Sequence, residues 1–78
     1  MATKAYLLIE TAVGKTRDVA DTLGNLPGIA TVDVVTGPYD IIARVESPSM
    51  DDVGRLVVSR MQMIHGITRT TTCPVVHI

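Results

Sequence analysis

The chain has 78 residues, seven basic and eight acidic, with 46% hydrophobic residues and a mean hydropathy of +0.32. That length makes one domain, residues 1–78, near the lower limit for a self-supporting core, and a net charge of −1 without a Lys/Arg cluster argues against nucleic-acid binding. Cys73 is the only cysteine, which excludes an internal disulfide; no apolar run reaches membrane-span length, and the start MATKAYLLIE is too short in apolar residues for a signal peptide, so a cytoplasmic location is expected.

Residues 5–11 (AYLLIET) read as a strand that is apolar on both faces, with Ala5, Leu7 and Ile9 on one side and Tyr6 and Leu8 on the other. Gly14 opens a helical stretch to about Asn25. Val19, Leu23 and Leu26 recur there at helical spacing with Ala20 beside them, while Lys15, Arg17, Asp18 and Asp21 cover the other side. Gly24 to Gly28 (GNLPG) ends the helix, because Gly suits a C-cap and Pro cannot continue one. Residues 29–36 (IATVDVVT) and 40–46 (DIIARVE) are strands, joined through a turn into an antiparallel hairpin. A second helix starts near Ser47-Pro48-Ser49, capped either by Ser49 with Asp52 three residues on or by Ser47 with Pro48 in the first turn. Met50, Val53, Val57, Met61 and Ile64 form its inward stripe, with Leu56 alongside. Residues 67–77 make a last strand, in which Pro74 implies an edge or a break.

The order strand, helix, strand, strand, helix, strand contains a weak repeat. Leu26-Pro27-Gly28-Ile29 and Ile64-His65-Gly66-Ile67 each carry a helix into a strand through Gly-Ile. Two such halves give an α+β, ferredoxin-like βαββαβ fold: a four-stranded antiparallel sheet with both helices on one face. The other face stays bare yet receives apolar residues such as Tyr6 and Leu8. A bare apolar sheet is unusual on a monomer, so sheet-to-sheet packing with a second copy is expected, a dimeric α+β barrel with Tyr6 and Leu8 in the interface.

Chemistry is sparse. Catalysis would need a nucleophile with a base, a carboxylate pair or a cofactor motif, and there is no Gly-x-Gly-x-x-Gly, Gly-x-Ser-x-Gly or phosphate loop. No catalytic residue and no cofactor is therefore assigned. His65 and His77 lack the spacing of a metal site, so no metal is expected either. Asp51-Asp52 reads as first-turn charge that complements the helix dipole. Cys73 reads as a small hydrophobe, and Arg44 as paired with Asp33 or Glu46.

Two segments carry more. Thr36-Gly37-Pro38-Tyr39-Asp40 is a turn in which Gly37 permits close approach of another molecule and Asp40 can bond backbone amides. Thr68, Thr70 and Thr72 would share one face of the last strand and offer a row of hydroxyls, although β-propensity alone also favours threonine there. The Leu26-Pro27-Gly28-Ile29 helix exit, the Thr36-Gly37-x-Tyr39-Asp40 turn and the ending Gly66-Ile67-x-x-Thr70-x-Thr72, in this order, resemble the effector-binding (RAM) domain of the Lrp/AsnC family of bacterial and archaeal regulators.

That resemblance implies a dimer formed through the sheets and dimers assembled into rings, commonly octamers. It implies an amino acid or similar small ligand bound between dimers. Gly37, Tyr39 and Asp40 would then contribute from the turn, Thr70 and Thr72 from the strand, with Tyr39 also anchoring one dimer on the next. Full-length relatives carry a helix-turn-helix domain that is not found in this sequence, so the chain looks like a stand-alone module. It would not bind DNA directly, though it could co-assemble with full-length regulators. Pro38 removes one backbone donor from the turn. The alternatives are a purely structural oligomerisation domain, or a small dimeric α+β-barrel enzyme such as a cofactor-free monooxygenase. The latter has few candidate residues here beyond Tyr6 and His77.

Overall fold

The computed structural model describes residues 3–78. β1 (Thr3–Thr11) is followed by α1 (Thr16–Gly24), β2 (Ile29–Val34), β3 (Ile41–Ser47), α2 (Met50–Ser59), a 3-10 turn (Met61–Met63) and β4 (Ile67–Pro74). The strands form one sheet in the order β2-β3-β1-β4, and all three pairings are antiparallel. This is the expected ferredoxin-like arrangement.

Alternation along the strands decides which side of the sheet is covered. Ala5, Leu7 and Ile9 of β1 and Ile41, Ala43 and Val45 of β3 are fully buried, together with Val19 and Leu23 of α1, Val53 of α2 and Met61. These residues form one core, with Ala20, Leu26, Leu56, Val57, Ile64 and Ile67 packed around it. Each large aliphatic side chain buried there contributes roughly 1.5–3 kcal/mol. Met50 departs from the expected stripe. It is 39% exposed, because α2 starts at that residue and turns Val53, Leu56 and Val57 to the sheet instead.

Local signals set the element ends. Ser49, in an extended conformation, caps α2: its Oγ accepts from the Asp52 N–H at 3.3 Å, and its hydroxyl donates to Asp52 Oδ2 at 3.1 Å. Of the two starts left open by the sequence, this is the one adopted. The repeated Gly-Ile exits share a backbone device, since Gly28 has φ +90° and Gly66 φ +106°. Gly66 is also sterically required. A Cβ there would lie 2.9 Å from Lys15 Cβ and 3.0 Å from Val19 Cγ2.

Candidate functional site

The ends of β1, β3 and β4 meet at one end of the sheet, and the turn of residues 37–40 sits there. Six residues separate Val34 from Ile41, a longer connection than the tight turn the sequence suggests. Backbone bonds nevertheless fix its base: the Val35 N–H donates to the Asp40 carbonyl at 2.9 Å, and the Asp40 N–H to the Ile9 carbonyl at 2.9 Å. The Asp40 side chain reaches further. Its Oδ2 accepts from the Thr11 N–H at 2.8 Å, so the carboxylate ties the turn to the end of β1 rather than to its own backbone. The same corner is reinforced by a 2.7 Å hydrogen bond between the Thr11 and Thr16 hydroxyls and by the Ala12 N–H donating to the Gly66 carbonyl at 2.8 Å. The bond between Thr11 and Asp40 links positions far apart in the chain, and no local motif announces it.

Gly37 has φ +113°, and a Cβ added there would meet nothing within 4 Å. The turn tip therefore keeps its glycine for backbone conformation and stays open to approach. Pro38 is exposed, whereas Tyr39 and Asp40 are half-buried. Tyr39 is thus not a fully exposed loop aromatic.

The threonines divide. Thr70 lies opposite Ile9 and Thr72 opposite Leu7, so both face the helix side, along the edge strand. Thr68 leaves the row. The register shifts between Glu10 and Thr11, with Arg69 opposite Glu10 and Ile67 opposite Thr11, and the Thr68 hydroxyl donates to the Glu10 carbonyl at 3.1 Å. A bulge interrupts side-chain alternation, which a strict period-2 reading cannot anticipate. Thr70 also lines a cleft of about 270 Å3 with Met61, Gln62 and Ile67. The turn and Thr70 flank the same residue, Ile9, from opposite sides. Two strand spacings put them on the order of 10 Å apart.

Tyr6 and Leu8 stand on the uncovered face of the sheet. Tyr6 is 42% exposed and lies between Arg44 and Cys73; Leu8 lies between Ile42 and Thr71. Lys4 opposite Glu46 and Glu10 opposite Arg69 border this apolar centre. Arg44 pairs with Glu46 rather than Asp33, at a loose 3.9 Å, and its buried Nε has no hydrogen-bond partner among the described residues. Among the described residues no group of His, Cys, Asp and Glu is placed to hold a metal ion, and no helix is long and apolar enough to cross a membrane.

The Lrp/AsnC ligand binding domain model matches residues 4–78. The chain belongs to this family. An uncharacterized HTH-type transcriptional regulator of Pyrococcus horikoshii is 31% identical over 75 residues, covering 92% of this chain and 50% of that protein. The chain thus spans about half the length of the curated relatives it matches. Among solved structures, FFRP-DM1 superposes with a TM-score of 0.89 at 30% identity, over 95% of this chain and 99% of that one. The Neisseria meningitidis transcriptional regulator NMB0573, solved as an L-Met complex, superposes with a TM-score of 0.86 at 16% identity, over 96% of this chain and 50% of that one. At that identity the likeness shows the fold alone. This Lrp/AsnC domain is accordingly a regulatory ligand-binding domain related to transcriptional regulators.

Proposed function

We propose that this Lrp/AsnC domain is an oligomeric sensor of an amino acid or similar small ligand, bound between dimers, and that it acts on transcriptional regulators rather than as an enzyme. The observation that carries this reading is the pairing of an open, glycine-tipped turn with Thr70 at one end of the sheet. In it, Asp40 anchors the turn through one carboxylate oxygen, and the second oxygen remains for a ligand's ammonium group. Backbone N–H groups of the turn suit a carboxylate, and hydroxyl or carboxylate acceptors suit an α-ammonium. Gly37, Tyr39, Asp40, Thr70 and Thr72 form the proposed ligand set. The separation of the turn from Thr70 exceeds the span between an amino acid's charged groups, which favours a site completed by another chain. The L-Met complex of the Neisseria relative is in keeping with that ligand class.

The assembly rests on two surfaces. The uncovered sheet face, with Tyr6 and Leu8 at its centre, pairs with the same face of a second copy. Its borders carry both charge signs, and Arg44 Nε is a buried donor in want of an acceptor, as expected of a surface that is covered in the assembly. Tyr39 then anchors one dimer on the next, a role in which tyrosine is enriched, and the ring so formed would be an octamer. A cytoplasmic location and co-assembly with full-length Lrp/AsnC regulators complete the proposal.

Calorimetry against each of the twenty amino acids at millimolar concentration tests it. Binding of at least one, lost in Asp40→Asn, is the expected result. Silence with all twenty would overturn the sensing role and leave a structural oligomerisation domain.

A further inference from the structure

The 3-10 turn Met61–Met63 joins α2 to β4 and is held in place by core and backbone together. Met61 is fully buried. The Met63 N–H donates to the Arg60 carbonyl at 3.2 Å, and the Ile64 N–H to the Met61 carbonyl at 3.1 Å. Gln62 is exposed on this fixed turn and lines, with Thr70, the cleft of about 270 Å3 beside β4. That volume falls just below the roughly 300–1,000 Å3 of pockets for drug-sized ligands, so the cleft holds one side chain and little more. Its wall is mostly polar, whereas the larger clefts on the protomer are mostly apolar. Not all of those polar groups are free. Thr68 spends its hydroxyl on the Glu10 carbonyl, and Arg69 Nε faces Glu10 Oε2 at 3.9 Å. The side chains of Gln62 and Thr70 make no hydrogen bond among the described residues.

We propose that this cleft takes the side chain of the sensed amino acid, and that Gln62 with Thr70 restricts it to uncharged side chains bearing a hydroxyl or an amide. The proposal rests on the reading of the domain as an amino acid sensor and names the class of its ligand. A glutamine amide offers an acceptor oxygen and two N–H donors, and a threonine hydroxyl both donates and accepts. Together they complement a group that itself donates and accepts. Met61 and Ile67 supply apolar wall for the methylenes that carry that group. An aliphatic side chain would displace water from Gln62 and Thr70 without replacing its hydrogen bonds, which loses affinity. A charged side chain would give up hydration in a cleft whose one charged residue, Arg69, is already engaged by Glu10. Thr70 lies opposite Ile9, whose carbonyl accepts from the Asp40 N–H, so the cleft opens at the same end of the sheet as the turn. With the site built between dimers, the turn that holds the head groups and the cleft that reads the side chain need not belong to one chain.

Calorimetry with each of the twenty amino acids, on the wild-type chain and on Gln62→Leu and Gln62→Glu, reads rank order as well as affinity. The wild type should bind hydroxyl- or amide-bearing amino acids at least about tenfold more tightly than aliphatic ones of similar size. Gln62→Leu should reverse that order, and Gln62→Glu should bring lysine or arginine to the top. Gln62 is exposed, so both variants should fold and assemble as the wild type does, checked by circular dichroism and sedimentation. The order among ligands is the decisive readout, because a variant that merely loosened the turn would weaken all of them alike. A wild type that prefers aliphatic or charged amino acids, or a variant at Gln62 that keeps the wild-type order or weakens every ligand equally, would overturn this inference and leave the sensing role standing. Silence with all twenty would overturn the sensing role and this inference with it.

Discussion

Asp40 is asked to do two things, and substitutions can pull them apart. Asp40→Ala removes the acceptor of the 2.8 Å bond from the Thr11 N–H, while the backbone bonds of Asp40 to Val35 and Ile9 survive. A hydrogen bond to a charged group is worth about 1.5–3 kcal/mol net. The site is half-buried, so water can reach part of the vacated position, and the expected loss falls to about 1–2 kcal/mol. For a domain of this size that lowers the melting temperature by roughly 5–10 °C. Asp40→Asn keeps an oxygen that can face Thr11 and removes only the charge. Its stability should stay within about 1 kcal/mol of wild type, but it should fail to bind an amino acid. Urea unfolding of both variants, followed by calorimetry, reads the two roles independently. Equal destabilisation by Ala and Asn would show that charge, and not the acceptor, holds the turn. No destabilisation by Ala would refute the latch altogether.

Three further outcomes follow from the geometry. Gly66→Ala and Gly14→Ala both force a side chain into positive φ, but only the former also collides with Lys15 and Val19; in thermal melts Gly14→Ala should cost about 1–3 kcal/mol and Gly66→Ala clearly more. Ser49→Ala removes the cap of α2 and should cost about 1 kcal/mol in urea unfolding, with the fold intact by circular dichroism. Leu8→Glu places a charge in the middle of the uncovered sheet face; sedimentation should then show loss of the dimer itself, whereas Tyr39→Ala should leave dimers that no longer associate.

Much of the fold was legible because its signals are local. Alternation in AYLLIET places Ala5, Leu7 and Ile9 in the core, the Gly-Ile pairs end both helices into strands, and Ser49 with Asp52 marks the start of α2. What escaped was non-local. The Thr68 bulge depends on how β1 and β4 meet across the sheet, so the expected row of three threonines reduces to Thr70 and Thr72. The bond from Thr11 to Asp40 exists only after β1 and the hairpin have come together. Met50 fits an apolar stripe by spacing, yet the rotation of α2 is set by Val53, Leu56 and Val57 on the sheet, and Met50 is left outside. Arg44 was conspicuous among apolar neighbours; its partnerless Nε could be seen only with the surrounding strands in place.

Native mass spectrometry of the full chain with a pool of amino acids tests whether the ligand site is built between dimers, since one spectrum reads both assembly and bound ligand. Amino acid adducts are expected on species larger than a dimer, with bare dimers beside them. Adducts on the dimer itself, or an assembled ring that takes up no amino acid, would contradict a sensing site built between dimers.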